Sequence, residues 1–160
     1  RMAQFVYLMI ENENVRDVID TLATKVVLIL GCFAEPHKRV LDAVREELRE
    51  HDLVPIVFAF EQPSSRAILQ TVQILARISR FVIADMTGLR TVAAELATMV
   101  PSVMVPFVPL QHEAVGQEWS VARSDLPMYD WFLPTVTYDN AEQLVQDLSS
   151  CVIEPALQGT

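Results

Sequence analysis

The sequence predicts a three-layer α/β fold, in which five parallel strands form one sheet of order 2-1-3-4-5 with helices on both faces. Short apolar runs with strand character alternate along the chain with segments whose apolar residues recur at helical spacing. Right-handed crossovers between such strands place helices on both faces of a parallel sheet. Because the first and third apolar runs are the most apolar, we expect those two strands at the centre.

The first strand and helix are predicted between residues 25 and 50. Lys25–Leu30 consists almost entirely of Val, Leu and Ile, which is typical of a strand buried on both faces. Gly31 ends this run, and Pro36 lies near the first turn of the helix that follows, where a missing N–H is tolerated. The inward face of that helix is predicted to hold Val40, Leu41, Val44 and Leu48.

The second and third strands follow the same pattern. Leu53–Phe60 forms strand two, and Pro55 near its start favours an edge position. Ser64 or Ser65 caps the next helix, which runs to about residue 78. Strand three is Phe81–Ala84, a wholly apolar run.

The last third of the domain is less regular. A helix over about 92–100 carries Glu95, and strand four is predicted over 102–108, limited by neighbouring prolines. Residues 110–134 are expected to be irregular and partly helical. Thr135–Tyr138 forms a short fifth strand, and Asp139 or Asn140 caps the final helix. With this element order the arrangement is flavodoxin-like.

Composition limits the classes of function. The chain has 160 residues, 51% of them hydrophobic, and a mean hydropathy of +0.28, which fits one globular domain with a substantial core. A net charge of −9 argues against nucleic acid as a partner, because nucleic-acid binding depends on clustered Lys and Arg. Two cysteines are too few for a disulfide framework, and three scattered histidines show no zinc-site spacing. No apolar run reaches about 18 residues, the length of a membrane span. These observations predict a cytoplasmic protein.

The chain is expected to be an excised part of a longer protein, since it begins at Arg1 without an initiator methionine. Residues 1–24 are predicted as a lead-in from an upstream sensor or scaffold module, either a helix that packs on the domain or tethers it, or a dimerisation helix. Residues 25–151 are the α/β domain, and residues 152–160 a C-terminal tail.

The loop after strand one is a candidate binding loop. Gly31, Cys32 and Phe33 occupy the place of the phosphate-binding turn in nucleotide folds, but one glycine satisfies neither the dinucleotide fingerprint nor a Walker loop. Gly31 can equally serve to let the chain leave the strand close to its neighbour. Cys32 is either a reactive thiol at the crevice or a small buried hydrophobe.

Polar residues directly after strand three are the strongest functional signal. Asp85 and Thr87 follow the strand, at the edge of a parallel sheet where ligands bind. Glu95 on the next helix can converge with Asp85 on one crevice, where one carboxylate orients a ribose hydroxyl and the other acts as a nucleophile or stabilises an oxocarbenium. The structural alternative is that Asp85 satisfies backbone N–H groups of its loop and Glu95 is an exposed helix residue.

Five stretches carry a resemblance to a known family: Val26–Phe33, Val40–Arg49, Ser64–Arg66, Ala76–Thr87 and Ala94–Leu96. On these residues the chain resembles bacterial Toll/interleukin-1 receptor (TIR)-like domains over about 25–150, and more distantly the nucleoside 2-deoxyribosyltransferases. The resemblance implies that Glu95 is the catalytic glutamate and Asp85 the acid that faces the ribose.

The resemblance implies two kinds of function. Some TIR domains cleave the nicotinamide–ribose bond of NAD, whereas others only recruit partners through homotypic contacts. The leading hypothesis is therefore a signalling or effector domain that binds a nucleotide such as NAD, without a tightly bound cofactor or metal, through Gly31, Cys32, Phe33, Thr87 and the two carboxylates, with Ser64 or Asp85 at the ribose. The alternative is a non-catalytic module that assembles with copies of itself. A nucleoside deoxyribosyltransferase is a third possibility, for which a tyrosine or a further acid near strand one is expected.

Overall fold

The computed structural model describes residues 24–31, 37–59, 66–86, 96–113 and 128–158. These residues form one parallel sheet whose five strands are β1 (Val26–Gly31), β2 (Val54–Ala59), β3 (Phe81–Asp85), β4 (Phe107–His112) and β5 (Val136–Tyr138). Their order in the sheet is β2-β1-β3-β4-β5, and every pairing is parallel. The predicted fold class and strand order are confirmed.

The helices lie on both faces of this sheet. They are α1 (His37–Glu50), α2 (Arg66–Arg77), α3 (Ala141–Leu148) and α4 (Glu154–Gln158), and residues 96–99 are also helical. Leu28 and Leu30 of β1 point to the face covered by α2 and the helical residues 96–99. Val27 and Ile29 point to the opposite face, which α1, α3 and the C-terminal residues cover. Alternation along each strand therefore builds two cores from one sheet.

The two central strands are buried along their whole length. All residues of β1 and β3 are buried, which matches their uninterrupted apolar sequences. Among the described residues the only buried polar or charged side chains are Ser79 and Asp85. Ser79 donates its hydroxyl to the Leu75 carbonyl at 2.6 Å, just after α2 ends. Asp85 lies at the opposite, carboxyl end of β3.

Helix α1 ends in a Schellman motif. The N–H of Leu53 donates to the Leu48 carbonyl at 3.0 Å, and the N–H of Asp52 donates to the Arg49 carbonyl at 3.1 Å. Asp52 has φ of 59°, in the left-handed region. Leu48 and Leu53 are both members of the core below α1, which completes the hydrophobic part of the motif. A single turn thus carries the chain from α1 into β2.

Strand four differs from its prediction. It spans Phe107–His112 and not 102–108, so the predicted bounds were wrong. Pro101 and Ser102 form a turn, and the strand passes through Pro109. Phe107 donates its N–H to the Trp131 carbonyl, on the side of the strand that faces β5. Because main-chain groups two residues apart point to the same side of a strand, the nitrogen of Pro109 also faces β5. The hydrogen bonds to β3 are made by the alternate residues of β4, so Pro109 removes none of them.

The pairing between β4 and the segment leading into β5 is interrupted at this proline. Phe107 pairs with Phe132, and Leu110 pairs with Val136, so three steps on β4 correspond to four on the partner segment. The extra residue lies in the stretch that contains Pro134, which also lacks an N–H. The segment therefore bulges between two short paired regions.

The C-terminal residues form one continuous helical run, because a π-helical turn, Ser149–Ile153, joins α3 to α4. Glu154 donates its N–H to the Ser149 carbonyl, the five-residue spacing of a π turn. Pro155 explains the widening, since an α-helical path would drive its ring into the Cys151 carbonyl. Val152, Ile153 and Ala156 are buried in the core under α1 and α3. The chain therefore stays packed beyond the predicted domain end at 151.

Candidate functional site

The carboxyl ends of β1 and β3 meet at the point where the strand order reverses. From β1 the chain continues to β2, which lies on one side of β1, and then crosses to β3, which lies on the other side. Gly31 ends β1 and Asp85 ends β3, one step beyond the paired residues Leu30 and Ala84. Crevices at such switch points are the usual ligand sites of open parallel sheets. The structure brings these two predicted site residues together.

Gly31 occupies a tightly packed position. A Cβ at this position would lie 3.0 Å from Leu41 Cδ1 and 3.3 Å from the Cβ of Asp85. A side chain would therefore press on α1 and on the carboxylate-bearing strand at once. The absence of a side chain keeps the end of β1 within close reach of both.

Asp85 is almost completely enclosed, with 1% of the residue exposed. The Tyr138 hydroxyl donates to its Oδ2 atom at 3.4 Å, across a separation of 53 residues. Tyr138 is also 1% exposed and ends β5, two strands away in the sheet. A carboxylate removed from water needs hydrogen-bond donors, and this phenol supplies one from beyond its neighbouring strand. The contact contributes to the orientation of the carboxylate.

A third polar side chain ends the strand between them. His112 is the last residue of β4 and is paired in register with Tyr138. Their rings meet edge to face, with centroids 5.3 Å apart and an interplanar angle of 87°. This geometry is favourable for aromatic rings and limits the rotation of the tyrosine. Asp85, His112 and Tyr138 thus end three adjacent strands and form one cluster, which we call the strand-end cluster.

The first turns of α1 and α3 border the same edge of the sheet. Arg39 of α1 and Glu142 of α3 form an exposed ion pair of 3.2 Å between the two helices. Asn140, one of the two residues predicted from the sequence to cap this helix, caps α3 with a side chain that accepts from the Gln143 N–H at 2.8 Å. Gln143 in turn accepts from the N–H of Asp139 at 2.9 Å. These contacts fix the chain directly after Tyr138.

Five of the predicted site residues lie outside the described residues: Cys32, Phe33, Ser64, Thr87 and Glu95. The predicted convergence of Glu95 with Asp85 therefore stays a prediction. Within the described ranges, no group of three His, Cys, Asp or Glu side chains could hold a metal ion. In the same ranges no helix has both the length and the apolar character that crossing a membrane demands.

Sequence reasoning missed His112 and Tyr138 as members of the site. His112 was missed because strand four was placed too early, which left this residue in an irregular region. Tyr138 was predicted as the end of strand five, and the rule that identified Asp85, a polar residue at the carboxyl end of a strand, applies to it equally. The sequence therefore contained the signal that identifies Tyr138, whereas identifying His112 required the correct bounds of strand four.

Comparison with protein-family models and with curated proteins finds no match to this chain. The basis for a functional assignment is therefore the approach of Gly31 to Asp85 at the switch point, together with the strand-end cluster that extends from Asp85.

Proposed function

We propose that this chain is a TIR-like signalling or effector domain that binds a nucleotide such as NAD at the crevice between the ends of β1 and β3. One observation carries the proposal: Gly31 and Asp85 end these two strands where the strand order reverses. A carboxylate at this place is suited to accept hydrogen bonds from ribose hydroxyls. The resemblance in sequence adds the nicotinamide–ribose bond as the bond to be cleaved.

In this proposal Glu95 is the catalytic carboxylate and attacks or stabilises the anomeric carbon. Asp85 holds the ribose in the orientation that the Tyr138 hydroxyl gives to its carboxylate, and Ser64 is the second candidate for that contact. Because Asp85 is 1% exposed, a ligand reaches it only when its surroundings rearrange. We therefore expect nucleotide binding to be coupled to a conformational change in the protein.

The experiment is NAD turnover by the purified chain at high concentration, with Glu95→Gln beside it. Glu50→Gln is the matched control, because Glu50 is an exposed carboxylate at the far end of α1, at the opposite edge of the sheet. Nicotinamide release that is lost in Glu95→Gln and kept in Glu50→Gln supports the proposal. No release, together with no thermal shift by NAD or nucleosides, contradicts it.

The second candidate is a non-catalytic module that assembles with copies of itself. Its candidate contact residues are Met104 and Met128, the most exposed large apolar side chains of the described residues at 73% and 71%. Size-exclusion chromatography over a dilution series tests this candidate. Self-association that survives Glu95→Gln and is reduced by Met104→Gln or Met128→Gln supports assembly, and a strict monomer at every concentration contradicts it.

A further inference from the structure

We infer that the free edge of β5 is a docking site for an extended peptide segment of a partner protein, one with an apolar side chain between flanking Lys or Arg residues. Three separate observations point to it: outward main-chain groups on β5, an apolar cavity beside them, and an acidic surface around both. The site is independent of the proposed nucleotide crevice.

Among the described residues, the main chain of β5 is paired on one side only. Glu113 donates its N–H to the Tyr138 carbonyl at 3.0 Å, so the main-chain N–H and C=O of Tyr138 face β4. In a strand successive residues direct these groups to opposite sides, so the N–H and C=O of Thr137 face away from the sheet. No hydrogen bond of the described residues uses these two groups, and β5 is the last strand of the sheet. An unpaired edge of this kind binds another strand.

A cavity of about 380 Å³ adjoins this edge. Its wall is mostly apolar and is formed by the bulged segment, β5 and the C-terminal helical run: Val108, Leu133, Pro134, Thr135, Val136, Thr137, Cys151 and Pro155. The bulge opposite Pro109 separates the segment from β4 in this region, and the π turn sets Cys151 and Pro155 across from it. A volume of this size accommodates a branched or aromatic side chain.

The charged side chains that residues 128–158 contribute around the edge are all acidic. Residues 128–158 contain no Lys, Arg or His, and all of their acidic residues are exposed: Asp130, Asp139, Glu142, Asp147 and Glu154. Within the described part of the chain, only Glu142 of these forms an ion pair. A second copy of this chain would bring the same negative charges together, whereas basic flanking residues complement them. Charge complementarity therefore selects a basic partner segment over self-association.

The test uses a fluorescent peptide array of the form Lys-Lys-X-X-X-Lys-Lys, with X drawn from Val, Ile, Leu, Phe and Thr, and the full chain. We expect a subset to bind with Kd on the order of 100 μM, because one short strand and one pocket give less area than a standard interface. The same sequences with Glu in place of Lys should bind at least about tenfold more weakly, and the difference should shrink with salt. If no member of the array binds, or the acidic versions bind equally well, the inference is wrong.

Main-chain pairing is tested on the best peptide and the unaltered protein. Methylating the peptide amides one at a time should abolish binding at alternate positions only, because alternate N–H groups of a strand face its partner. If methylation abolishes binding at every position, or at no position, the peptide does not add to the sheet as a strand. Thr137→Pro removes the outward N–H and should weaken binding about tenfold, whereas Thr137→Val keeps this N–H and should bind as the wild type does. Equal binding by both variants, with unchanged melting temperatures, also overturns the inference.

Occupation of the cavity is read at Cys151, a free and exposed thiol on its wall. The bound peptide should slow alkylation of Cys151, measured by mass spectrometry of the fragment that contains it. Unchanged alkylation at saturating peptide places the peptide elsewhere and contradicts the inference. Two other results would also overturn the inference. If the protein dimerises and Thr137→Pro abolishes dimerisation, the occupant of the edge is a second copy of the chain. If the peptide binds only after Leu8→Glu, the edge is occupied by the chain's own apolar run, Phe5–Ile10.

Discussion

Removing the Tyr138 hydroxyl should destabilise the protein through the buried carboxylate that it contacts. In Tyr138→Phe the ring remains and Asp85 loses a donor, while both residues are 1% exposed and water cannot replace it. A hydrogen bond to a charged group contributes about 1.5–3 kcal/mol, and the 3.4 Å length of this contact places it at the lower end. We expect the free energy of unfolding to fall by about 1–2 kcal/mol and the melting temperature by about 2–8 °C.

A double-mutant cycle in urea assigns this loss to the contact itself. Asp85→Leu replaces the carboxylate with an apolar side chain of similar branching, and in that background Tyr138→Phe should cost less than about 0.5 kcal/mol. Tyr129→Phe is the matched control, because the Tyr129 ring packs at a tilt against Trp131, with centroids 5.2 Å apart, and its hydroxyl makes no hydrogen bond with described residues. Equal costs for Tyr138→Phe in both backgrounds would refute the reasoning, since the hydroxyl would then act through something other than Asp85.

Three further predictions concern stability and are measured by urea unfolding. Gly31→Ala should cost about 1–3 kcal/mol, because its Cβ would lie 3.0 Å from Leu41 Cδ1; a neutral result would show that α1 can shift without cost. Asp52→Gly should be more stable than Asp52→Ala by about 1 kcal/mol, because both remove the same ion pair and only glycine favours φ of 59°; equal stability would contradict this. Asn140→Ala should cost about 1 kcal/mol by removing the cap of α3, whereas Gln146→Ala on the exposed face of the same helix should cost less than about 0.5; equal costs would argue against the cap.

The central part of the fold could be predicted because local and global requirements agree there. A run of Val, Leu and Ile in β1, and the apolar run of β3, suits only strands that are covered on both faces. Strand four could not be placed in the same way, since Pro109 is tolerated only because its nitrogen faces the bulge before β5. That relation depends on the neighbouring strand and is invisible in the local sequence.

The candidate site was predictable in its position but not in its contacts. Asp85 is identified by its place after an apolar strand, a property of a few consecutive residues. Its bond to Tyr138 spans 53 residues and requires the register of β5 against β4, which the extra residue near Pro134 shifts by one. A shift of one residue would turn Tyr138 to the other face of the sheet, so the partner of the carboxylate could not be deduced from the pattern alone.

The interrupted pairing of β5 makes this strand the natural first unit of local unfolding. Its ladder to β4 is short and is broken opposite Pro109, so β5 should open with a smaller free energy than the strands it follows in the sheet. Native-state hydrogen exchange should therefore protect the amides of Ile83 and Val108 more strongly than that of Val136. Each such opening carries Tyr138 away from Asp85 and exposes a carboxylate that the closed protein hides. The outermost strand of the sheet thereby influences how often the buried carboxyl group of Asp85 meets solvent.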